Sequence, residues 1–485
     1  MLDAAAGTAR AGGIARDGAA DPEIASIAYD SRAVRPGALF AALPGTKTDG
    51  AEYVPAAVSA GAVAVLGGGT AAEAARAAGV PALVAEKPRA ALSVIANAFY
   101  GFPARKLRLI GVTGTNGKTT TAFLVRHLLR FCGKKAGMLG TIEYDTGSQI
   151  IPAPLTTPES VDFAGYLAQA AAAGAEYAVA ETSSHALALD RVAGCEFAAG
   201  VFSNLTRDHL DYHKTFEDYA AAKRKLFLYL PASAAAVVNL DDPYGAEMLD
   251  GCAARAETYG VENPRALWNA VGVTGDINGS RFTLRCPAGE FRVELPLPGR
   301  HNIHNTLAAV TVLASLGLPL EKLLDGVRSF ASVPGRLEKI SGGGKTVFVD
   351  YAHTPDAMEK VLRTLKPLTS GKLWVVFGCG GDRDRGKRPQ MAAVAERLAD
   401  RVVVTDDNPR TEDSVRILED IRAGFADKAL PVFIADRASA IAHALRTAEP
   451  GDTVAVVGKG HEDYQIVGTV KHHFSDKEQV LQILG

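Results

Sequence analysis

The stretch Leu107-Arg-Leu-Ile-Gly-Val-Thr-Gly-Thr-Asn-Gly-Lys-Thr-Thr-Thr121 decides the fold at the centre of this 485-residue chain. Its apolar first half, residues 107–112, predicts a buried strand, and a helical pattern begins at Thr119. The glycines between them let the backbone approach an anion closely, and the N–H groups at a helix start point toward it. In such a cradle Lys118 reaches the outer phosphates and the Thr119 hydroxyl binds Mg²⁺. The stretch therefore predicts a phosphate site.

The stretch departs from the usual P-loop pattern, because Val112 stands where that pattern has glycine. A glycine-rich turn before an ordinary helix is the alternative. The departure itself is informative, since Gly114-Thr-Asn-Gly-Lys-Thr-Thr120 resembles the ATP loop of the Mur ligase and folylpolyglutamate synthetase superfamily. Its members join an amine to a carboxylate at the expense of ATP. The resemblance implies that ATP contacts Gly114, Thr115, Asn116, Gly117, Lys118, Thr119 and Thr120.

The bulk composition excludes several classes of protein. The length predicts roughly two to four domains. With 52 basic and 54 acidic residues the net charge is −2, so no nucleic-acid partner is expected. The five cysteines form no C-x-x-C pair, which argues against a zinc site or a disulfide framework. No apolar run has the length of a signal peptide or a membrane span, so we expect a cytoplasmic protein without membrane insertion.

The residues before the P-loop resemble the Mur ligase N-terminal domain. Asp30-Ser-Arg32 precedes an apolar run that ends in Leu43-Pro-Gly45. From composition alone, Asp30-Ser-Arg32 is a polar turn. In the family this segment holds the uridine nucleotide of the substrate, and the resemblance implies a contact by Ser31.

Two polar stretches after the P-loop carry further family motifs. Leu155-Thr-Thr-Pro-Glu159 either caps a helix at Thr157 or contacts substrate, and both are possible together. The strand predicted at Tyr177-Ala-Val-Ala180 ends in a carboxylate, which faces the ligand crevice of an α/β sheet and suits Mg²⁺. A surface glutamate is the alternative. The resemblance implies Glu181 as a Mg²⁺ ligand and substrate contacts by Thr156, Thr157, Ser183 and Arg191.

The segment from Asn204 to Asp211 is dense in His and Asp. A polar loop is the alternative to metal or phosphate chemistry. The segment resembles the family motif Asn-Leu-x-x-Asp-His-Leu-Asp, and Ala221-Ala-Lys223 matches the family's lysine that CO₂ converts to a carbamate. The resemblance implies that His209 and carbamylated Lys223 hold a second Mg²⁺, although on composition Lys223 belongs to a solvated basic face. The stretch Gly299-Arg-His-Asn302 matches the family pattern Gly-x-His-Asn, and the resemblance implies that Asn302 lies near the ATP base. A turn before a helix is the alternative.

The last third of the chain alternates apolar strands with helical stretches, which predicts a Rossmann-like, mostly parallel sheet. Four predicted strand ends carry polar motifs, and ligands bind outside such ends. These loops resemble the amino-acid-binding domain of Mur ligases, and Asp407-Asn-Pro-Arg410 has the form that takes meso-diaminopimelate. The implied contacts are Arg383, Asp407, Asn408, Pro409, Arg410, Gly458 and Glu462.

The sequence thus predicts three α/β domains: residues 1–103 for a UDP substrate, a P-loop domain at 104–335, and a Rossmann-like domain at 336–485 for an amino acid. The resemblance implies an ATP-dependent ligase that adds meso-diaminopimelate to UDP-MurNAc-L-Ala-D-Glu through an acyl phosphate, with ATP, Mg²⁺ and a carbamate on Lys223. The catalytic residues would be Lys118, Lys223 and His209, in a monomer. A folylpolyglutamate synthetase-like ligase and a P-loop ATPase binding module are the alternatives.

Overall fold

The computed structural model describes residues 13–45 and 48–485, and within them the chain forms two compact units. The first unit contains the chain up to Val271, together with Thr283–Phe291 and His304–Val327. The second contains Gly272–Phe282, Arg292–Ile303 and Arg328–Gly485.

The first unit begins with a five-stranded sheet in the order β1-β5-β4-β3-β2. Strand β1 is antiparallel to β5, and the other pairs are parallel. The strands are β1 (Ile14–Asp17), β2 (Ser26–Ala28), β3 (Ala38–Ala42), β4 (Ala62–Gly67) and β5 (Ala82–Ala85). The helices are α1 (Val54–Ser59), α2 (Gly69–Ala77), α3 (Pro88–Phe99) and α4 (Pro103–Lys106). All residues of α3 from 90 to 97 are buried, so this helix belongs to the core on every side.

A larger sheet follows, with strands in the order β13-β12-β11-β6-β10-β7-β8-β9 and β14 paired beside β13 through Tyr259 and Trp268. The strands are β6 (Arg108–Thr113), β7 (Ala136–Leu139), β8 (Glu143–Asp145), β9 (Ile150–Pro152), β10 (Tyr177–Glu181), β11 (Phe197–Phe202), β12 (Ala235–Asn239), β13 (Arg255–Gly260) and β14 (Trp268–Asp276). Two further strands are β15 (Gly279–Cys286) and β16 (Gly289–Leu295). The helices are α5 (Lys118–Phe131), α6 (Ser160–Ala172), α7 (Ser184–Ala188), α8 (Leu210–His213), α9 (Phe216–Leu228), α10 (Arg300–Ser315) and α11 (Leu320–Arg328). β6 is fully buried beyond Arg108, as its continuous apolar run predicts.

The second unit contains a six-stranded sheet in the order β17-β18-β22-β19-β20-β21, parallel except for β17, and the antiparallel pair β23-β24. The strands are β17 (Glu338–Gly342), β18 (Lys345–Asp350), β19 (Leu373–Phe377), β20 (Arg401–Val404), β21 (Pro431–Phe433), β22 (Thr453–Val457), β23 (Tyr464–Val467) and β24 (Val470–His473). The helices are α12 (Pro355–Leu365), α13 (Lys387–Leu398), α14 (Ser414–Ala423), α15 (Arg437–Thr447) and α16 (Asp476–Leu484). The predicted alternation of strands and helices is confirmed here, as is the mixed α/β class of the chain.

Candidate active site

The predicted phosphate cradle lies at the carboxyl end of β6, between β10 and β11. The parallel register places Val112 beside Glu181 and Thr113 beside Phe202, so the loop starts next to the ends of both neighbouring strands. Gly117, with φ of 87°, precedes α5. A Cβ atom there would lie 2.4 Å from Asn305 Oδ1, so only glycine suits the close approach and the left-handed backbone.

The loop is held by residues that follow β11. The Asn204 side chain accepts from the N–H of Asn116 and donates to its carbonyl, each at 3.0 Å. Ser203 Oγ donates to the same carbonyl at 2.6 Å, and the Thr115 N–H donates to the Asn204 carbonyl at 2.8 Å. The cradle is therefore fixed by side chains as well as by its glycines, which preorganises it for an anion.

Lys118 lies back over the cradle. Its Nζ donates to the carbonyl oxygens of Gly114 and Thr115, both at 2.9 Å. Thr120 is buried in the first turn of α5 beside it. A lysine held in this position places a positive charge at the loop that the phosphates would enter.

Thr119 and Glu181 come together at the buried end of β10. Thr119 Oγ1 donates to Glu181 Oε2 at 3.0 Å, and Thr141 donates to the same carboxylate through its N–H at 2.8 Å and its hydroxyl at 2.9 Å. Glu181 is completely buried. A buried carboxylate beside a hydroxyl, next to a phosphate cradle, is the donor set that Mg²⁺ uses when phosphate oxygens and waters complete its shell. The residues present therefore fit Mg²⁺.

Thr157 ties the next loop to the end of β10. Its hydroxyl donates to the Glu181 carbonyl at 2.7 Å and accepts from the Ser183 N–H at 3.0 Å. The alternative that Thr157 caps a helix is wrong: the helix begins at Ser160, after Glu159 at its N-cap. Arg191 donates to the Thr157 carbonyl at 3.0 Å and pairs with Glu159 at 2.5 Å.

Two of the other candidates next to this loop also have defined contacts. Thr156 Oγ1 lies 3.2 Å from Thr141 Oγ1, which joins it to the Glu181 group. Ser183 is the N-cap of α7 and accepts from the Ala186 N–H at 3.2 Å.

His209 lies in a cluster of rings defined by His185, His209, Tyr212, His213 and Tyr219. The centres of the His185 and His209 rings are 4.9 Å apart, and those of His213 and Tyr219 are 5.0 Å apart. Burial, followed by the charges of His185, Lys223 and His209, lowers the pKa of His213 to about 4. His213 is therefore neutral at physiological pH, and its Nε2 lies 2.9 Å from Ser184 Oγ.

Lys223 is a buried cation of α9. It is 1% exposed, and its Nζ lies 4.3 Å from the centre of the Tyr219 ring. Burial, and then the charge of Lys118, lower its pKa well below the ordinary value, against a smaller opposing effect of Asp208. A solvated basic face is therefore the wrong interpretation for Lys223. A buried neutral amine is the form of lysine that reacts with CO₂, so the residue fits a carbamate.

Ser31 and Asn302, the outlying candidates, have local contacts. Ser31 opens a 3₁₀ turn at Ser31–Ala33 that Asp30 caps by accepting from the Arg32 N–H. Asn302, in the second unit, donates from Nδ2 to the Pro298 carbonyl at 2.8 Å.

In the second unit, Asn408 and Glu462 form one hydrogen-bonded group at the ends of β20 and β22. Asn408 donates to Glu462 Oε2 at 3.0 Å, and Lys459 Nζ reaches Asn408 Oδ1 at 3.2 Å and Glu462 Oε2 at 3.1 Å. Asp407 lies 3.9 Å from Lys459, and a Cβ on Gly458 would lie 3.0 Å from the Asp407 carboxylate.

Arg410 lies at the edge of the same group. Its Nη1 donates to the Gly381 carbonyl at 2.9 Å, and its own backbone has φ of 54°. Pro409 is buried before it, and Arg383 is exposed on the loop that contains Gly381. The structure thus places six of the seven candidate amino-acid residues on the two loops that follow β20 and β22, and the seventh, Arg383, is exposed on the loop that follows β19.

Sequence reasoning missed several contributors to the site. Thr141 completes the Glu181 group, Asn305 lies against Gly117, and Lys459 joins Asn408 to Glu462. Thr141 and Asn305 carry no local sequence signal, because each acts through a partner far along the chain. Lys459 bonds both the distant Asn408 and Glu462, which is only three residues further on.

Three family models match the chain. They are described as "Mur ligase family, catalytic domain" over residues 23–100, "Mur ligase middle domain" over residues 112–313 and "Mur ligase, glutamate ligase domain" over residues 335–460. Among the residues that the structure describes, no helix is long and apolar enough to cross a bilayer.

Proteins named UDP-N-acetylmuramoyl-L-alanyl-D-glutamate--2,6-diaminopimelate ligase resemble the chain over nearly its full length. The protein from Parasynechococcus marenigrum is 48% identical, with 96% of each chain covered. That from Geobacter metallireducens is 45% identical, with 94% of this chain and 93% of the relative covered. A solved structure of a ligase with the same name has a TM-score of 0.69 at 35% identity, covering 95% of this chain and 94% of the other. Mycobacterium tuberculosis folylpolyglutamate synthase, solved with ADP and AMPPCP, has a TM-score of 0.63 at 20% identity, covering 76% of this chain and 92% of the other. This last likeness concerns the fold alone.

Proposed function

The chain belongs to the Mur ligase family, and from this membership we propose that it is an ATP-dependent ligase that joins meso-diaminopimelate to UDP-N-acetylmuramoyl-L-alanyl-D-glutamate. The observation that carries the proposal is the hydrogen bond of 3.0 Å between Thr119 and the buried Glu181, beside the cradle that Lys118 crosses. This arrangement suits a triphosphate with a bound cation. A folded phosphate cradle without such a carboxylate would suit a simple anion site equally well.

In the proposed reaction, the carboxylate of the D-glutamate residue attacks the γ-phosphorus of ATP, and ADP leaves. The resulting acyl phosphate is attacked by an amine of diaminopimelate, and phosphate leaves as the amide forms. Lys118 would stabilise the charge on the transferring phosphoryl group. Mg²⁺ held by Thr119 and Glu181 would supply further neutralisation of the phosphates. The cradle contacts with ATP would come from Gly114, Thr115, Asn116, Gly117 and Thr120. Asn302 is proposed, from the family resemblance alone, to lie near the ATP base.

We further propose that Lys223 is carbamylated. Its neutral Nζ would attack the carbon of CO₂ and release one proton, giving a carbamate with a negative charge and two oxygens. Burial and a lowered pKa support this, because an ammonium has no lone pair to donate. Together with His209, the carbamate would provide ligands for a second Mg²⁺.

The remaining candidates bind the two other substrates in this proposal. Ser31, Thr156, Thr157, Ser183 and Arg191 would contact the UDP-linked substrate. The amino acid would be held by Arg383, Asp407, Asn408, Pro409, Arg410, Gly458 and Glu462. We propose that the protein is a monomer. We also propose domain boundaries near residues 103 and 335, which is supported because one family-model match ends at residue 100, the next covers 112–313 and the third starts at 335.

The test is phosphate release from ATP with UDP-MurNAc-L-Ala-D-Glu, adding meso-diaminopimelate or lysine in turn and identifying the product by mass. We expect release that depends on diaminopimelate and yields the tripeptide product. ATP turnover without an amide would instead favour a P-loop ATPase module, and glutamate addition to a folate would favour the folylpolyglutamate alternative.

A second test addresses Lys223. Lys223→Ala should be inactive and partly restored by a small added carboxylate, whereas Lys223→Arg should remain inactive because a guanidinium forms no such carbamate. An active Lys223→Arg enzyme would contradict the carbamate.

A further inference from the structure

Arg388, in α13, is a fully buried cation in the second unit that the proposed reaction does not use. Its side chain is 0% exposed and forms two parallel hydrogen bonds with Glu412, Nη1 to Oε1 at 2.9 Å and Nη2 to Oε2 at 2.7 Å. Nη1 also reaches Asp420, a carboxylate that is 43% exposed, at 2.8 Å. A two-point pair of this kind fixes the carboxylate in both position and orientation.

Glu412 transmits this position to the loop at residues 380–385. Its Oε2 accepts from the N–H of Asp382 at 3.1 Å. Asp382 in turn accepts from the N–H of Thr411 at 3.0 Å and from its hydroxyl at 2.8 Å. Each of the two loops, residues 380–385 and 406–412, therefore donates a hydrogen bond to a carboxylate of the other loop. The buried Arg388 guanidinium holds one of these carboxylates, that of Glu412.

Both arginines proposed to bind the amino acid belong to these two loops. Arg383 directly follows Asp382, and Arg410 directly precedes Thr411. Arg410 also donates to the Gly381 carbonyl at 2.9 Å, and the Gly381 N–H donates to the Asn408 carbonyl at 2.9 Å. The spacing of the two guanidinium groups therefore depends on how the loops are joined.

The backbone at the join is strained. Asp382 and Arg410 both have φ of 54°, a left-handed conformation that non-glycine residues rarely adopt. Such a conformation persists only where the surroundings fix it. There is also little space for the loops to shift, because a Cβ on Gly381 would lie 1.9 Å from the Pro409 carbonyl oxygen.

We propose that Glu412, held by Arg388, is a positioning residue that sets the distance between Arg383 and Arg410 and thereby the fit of the amino-acid substrate. The inference rests on the proposed function for the identity of that substrate. The join between the loops is itself independent of it. Glu412 touches no reacting atom in this account. It acts on the loop at residues 380–385 through the Asp382 N–H and through Arg385, whose Nη2 donates to Glu412 Oε1 at 2.6 Å.

The test is Glu412→Gln, which keeps the size of the side chain and removes its charge. We expect the KM for diaminopimelate to rise at least about tenfold, the equivalent of about 1.4 kcal/mol. The KM values for ATP and for the UDP-linked substrate should remain within about twofold, since a loss of about 0.4 kcal/mol or less is expected there. A general structural defect would lower kcat or raise all three KM values together and would not single out diaminopimelate.

The matched control is Asp420→Asn, which removes the other carboxylate on Arg388 but leaves the loops joined. Its KM for diaminopimelate should stay close to the wild-type value. If Glu412→Gln fails to fold, Thr411→Val replaces it in the test, because this change removes only the hydroxyl that donates a hydrogen bond to Asp382. We expect its KM for diaminopimelate to rise about threefold, the equivalent of about 0.6 kcal/mol.

A second measurement separates this inference from the proposed reaction. Amide hydrogen exchange at residues 381–383 and 410–411 should accelerate in Glu412→Gln and not in Asp420→Asn, whatever amino acid the enzyme consumes. An unchanged exchange rate, together with an unchanged KM, would overturn the positioning role. Accelerated exchange in an enzyme that makes no diaminopimelate amide would overturn the proposed substrate alone.

Discussion

Replacing Lys223 with methionine should stabilise the fold while removing the proposed activity. Lys223 is 1% exposed, and burial together with the charge of Lys118 lowers its pKa well below the ordinary value. When the chain folds at neutral pH, the Lys223 ammonium must either be buried without its hydration water or lose its proton, and both cost free energy. Methionine has a similar length and makes neither demand, so the free energy of unfolding should rise.

The pH dependence gives the size and sign of this effect. Because the folded-state pKa of Lys223 is below the unfolded value of 10.5, the unfolded chain binds the extra proton at any pH between the two. Wild-type stability therefore rises with pH in that window, by about 1.4 kcal/mol per pH unit for this group. The advantage of Lys223→Met should shrink at the same rate, by about 3 kcal/mol over two pH units.

The assay is urea unfolding of both proteins across this pH window in buffer free of CO₂. Lys225→Met is the matched control on the same helix, because Lys225 is 36% exposed and lies 2.9 Å from Asp190; it should gain no stability. Added bicarbonate should stabilise the wild type and not Lys223→Met, since only the former can bind CO₂. A Lys223→Met protein less stable than wild type throughout the window would refute the reasoning, because it would mean that the buried amine makes net stabilising contacts.

Three other outcomes can be measured. Arg410→Ala should lower kcat/KM for diaminopimelate at least about thirtyfold, because leaving the substrate's second carboxylate without its partner costs about 2–5 kcal/mol. Lysine lacks that carboxylate, so its use should fall much less. Equal losses for the two amino acids would leave Arg410 only a structural role. Gly117→Ala should abolish nucleotide binding, measured by calorimetry, because its Cβ would lie 2.4 Å from Asn305 Oδ1. Gly133→Ala is the control, since Gly133 has a similar φ of 79° and a Cβ there would have no atom within 4 Å. It should reduce stability alone. Replacing every cysteine by serine or alanine should preserve kcat and cost stability mainly at the two buried positions, measured by thermal unfolding; an inactive folded protein restored by one returned cysteine would contradict this. The cysteines are Cys132, Cys195, Cys252, Cys286 and Cys379.

Elements with strong local patterns were predictable from the sequence. The strands at Leu373–Phe377 and Thr453–Val457 lie within the predicted alternation of the last third, because continuous apolar runs of this length suit a sheet covered on both faces. The strand of the P-loop starts and ends one residue later than predicted, at Arg108 and Thr113. Such an end is decided by hydrogen bonds with neighbours rather than by composition.

Contacts between distant residues were not predictable. Thr157 before a proline has the pattern of a helix cap, but its hydroxyl is engaged by the backbone of Glu181 and Ser183 instead. Arg388 is fully buried, and its partner Glu412 stands 24 residues further along the chain. Neither partner is visible in a local window of sequence.

The burial of residues 90–97 in α3 has a consequence for exchanging parts between relatives. Eight consecutive residues of this helix, from Ala90 to Asn97, have no solvent-facing side, and Ser93 Oγ both donates to the Arg191 carbonyl and accepts from the Gly194 N–H at 3.0 Å. In a chimera that takes its first hundred residues from another species, the buried side chains of α3 would therefore come from one protein and their packing partners around Arg191 from the other. Its success should follow the match of side-chain volumes between α3 and the segment around Arg191, more than the similarity of the two surfaces.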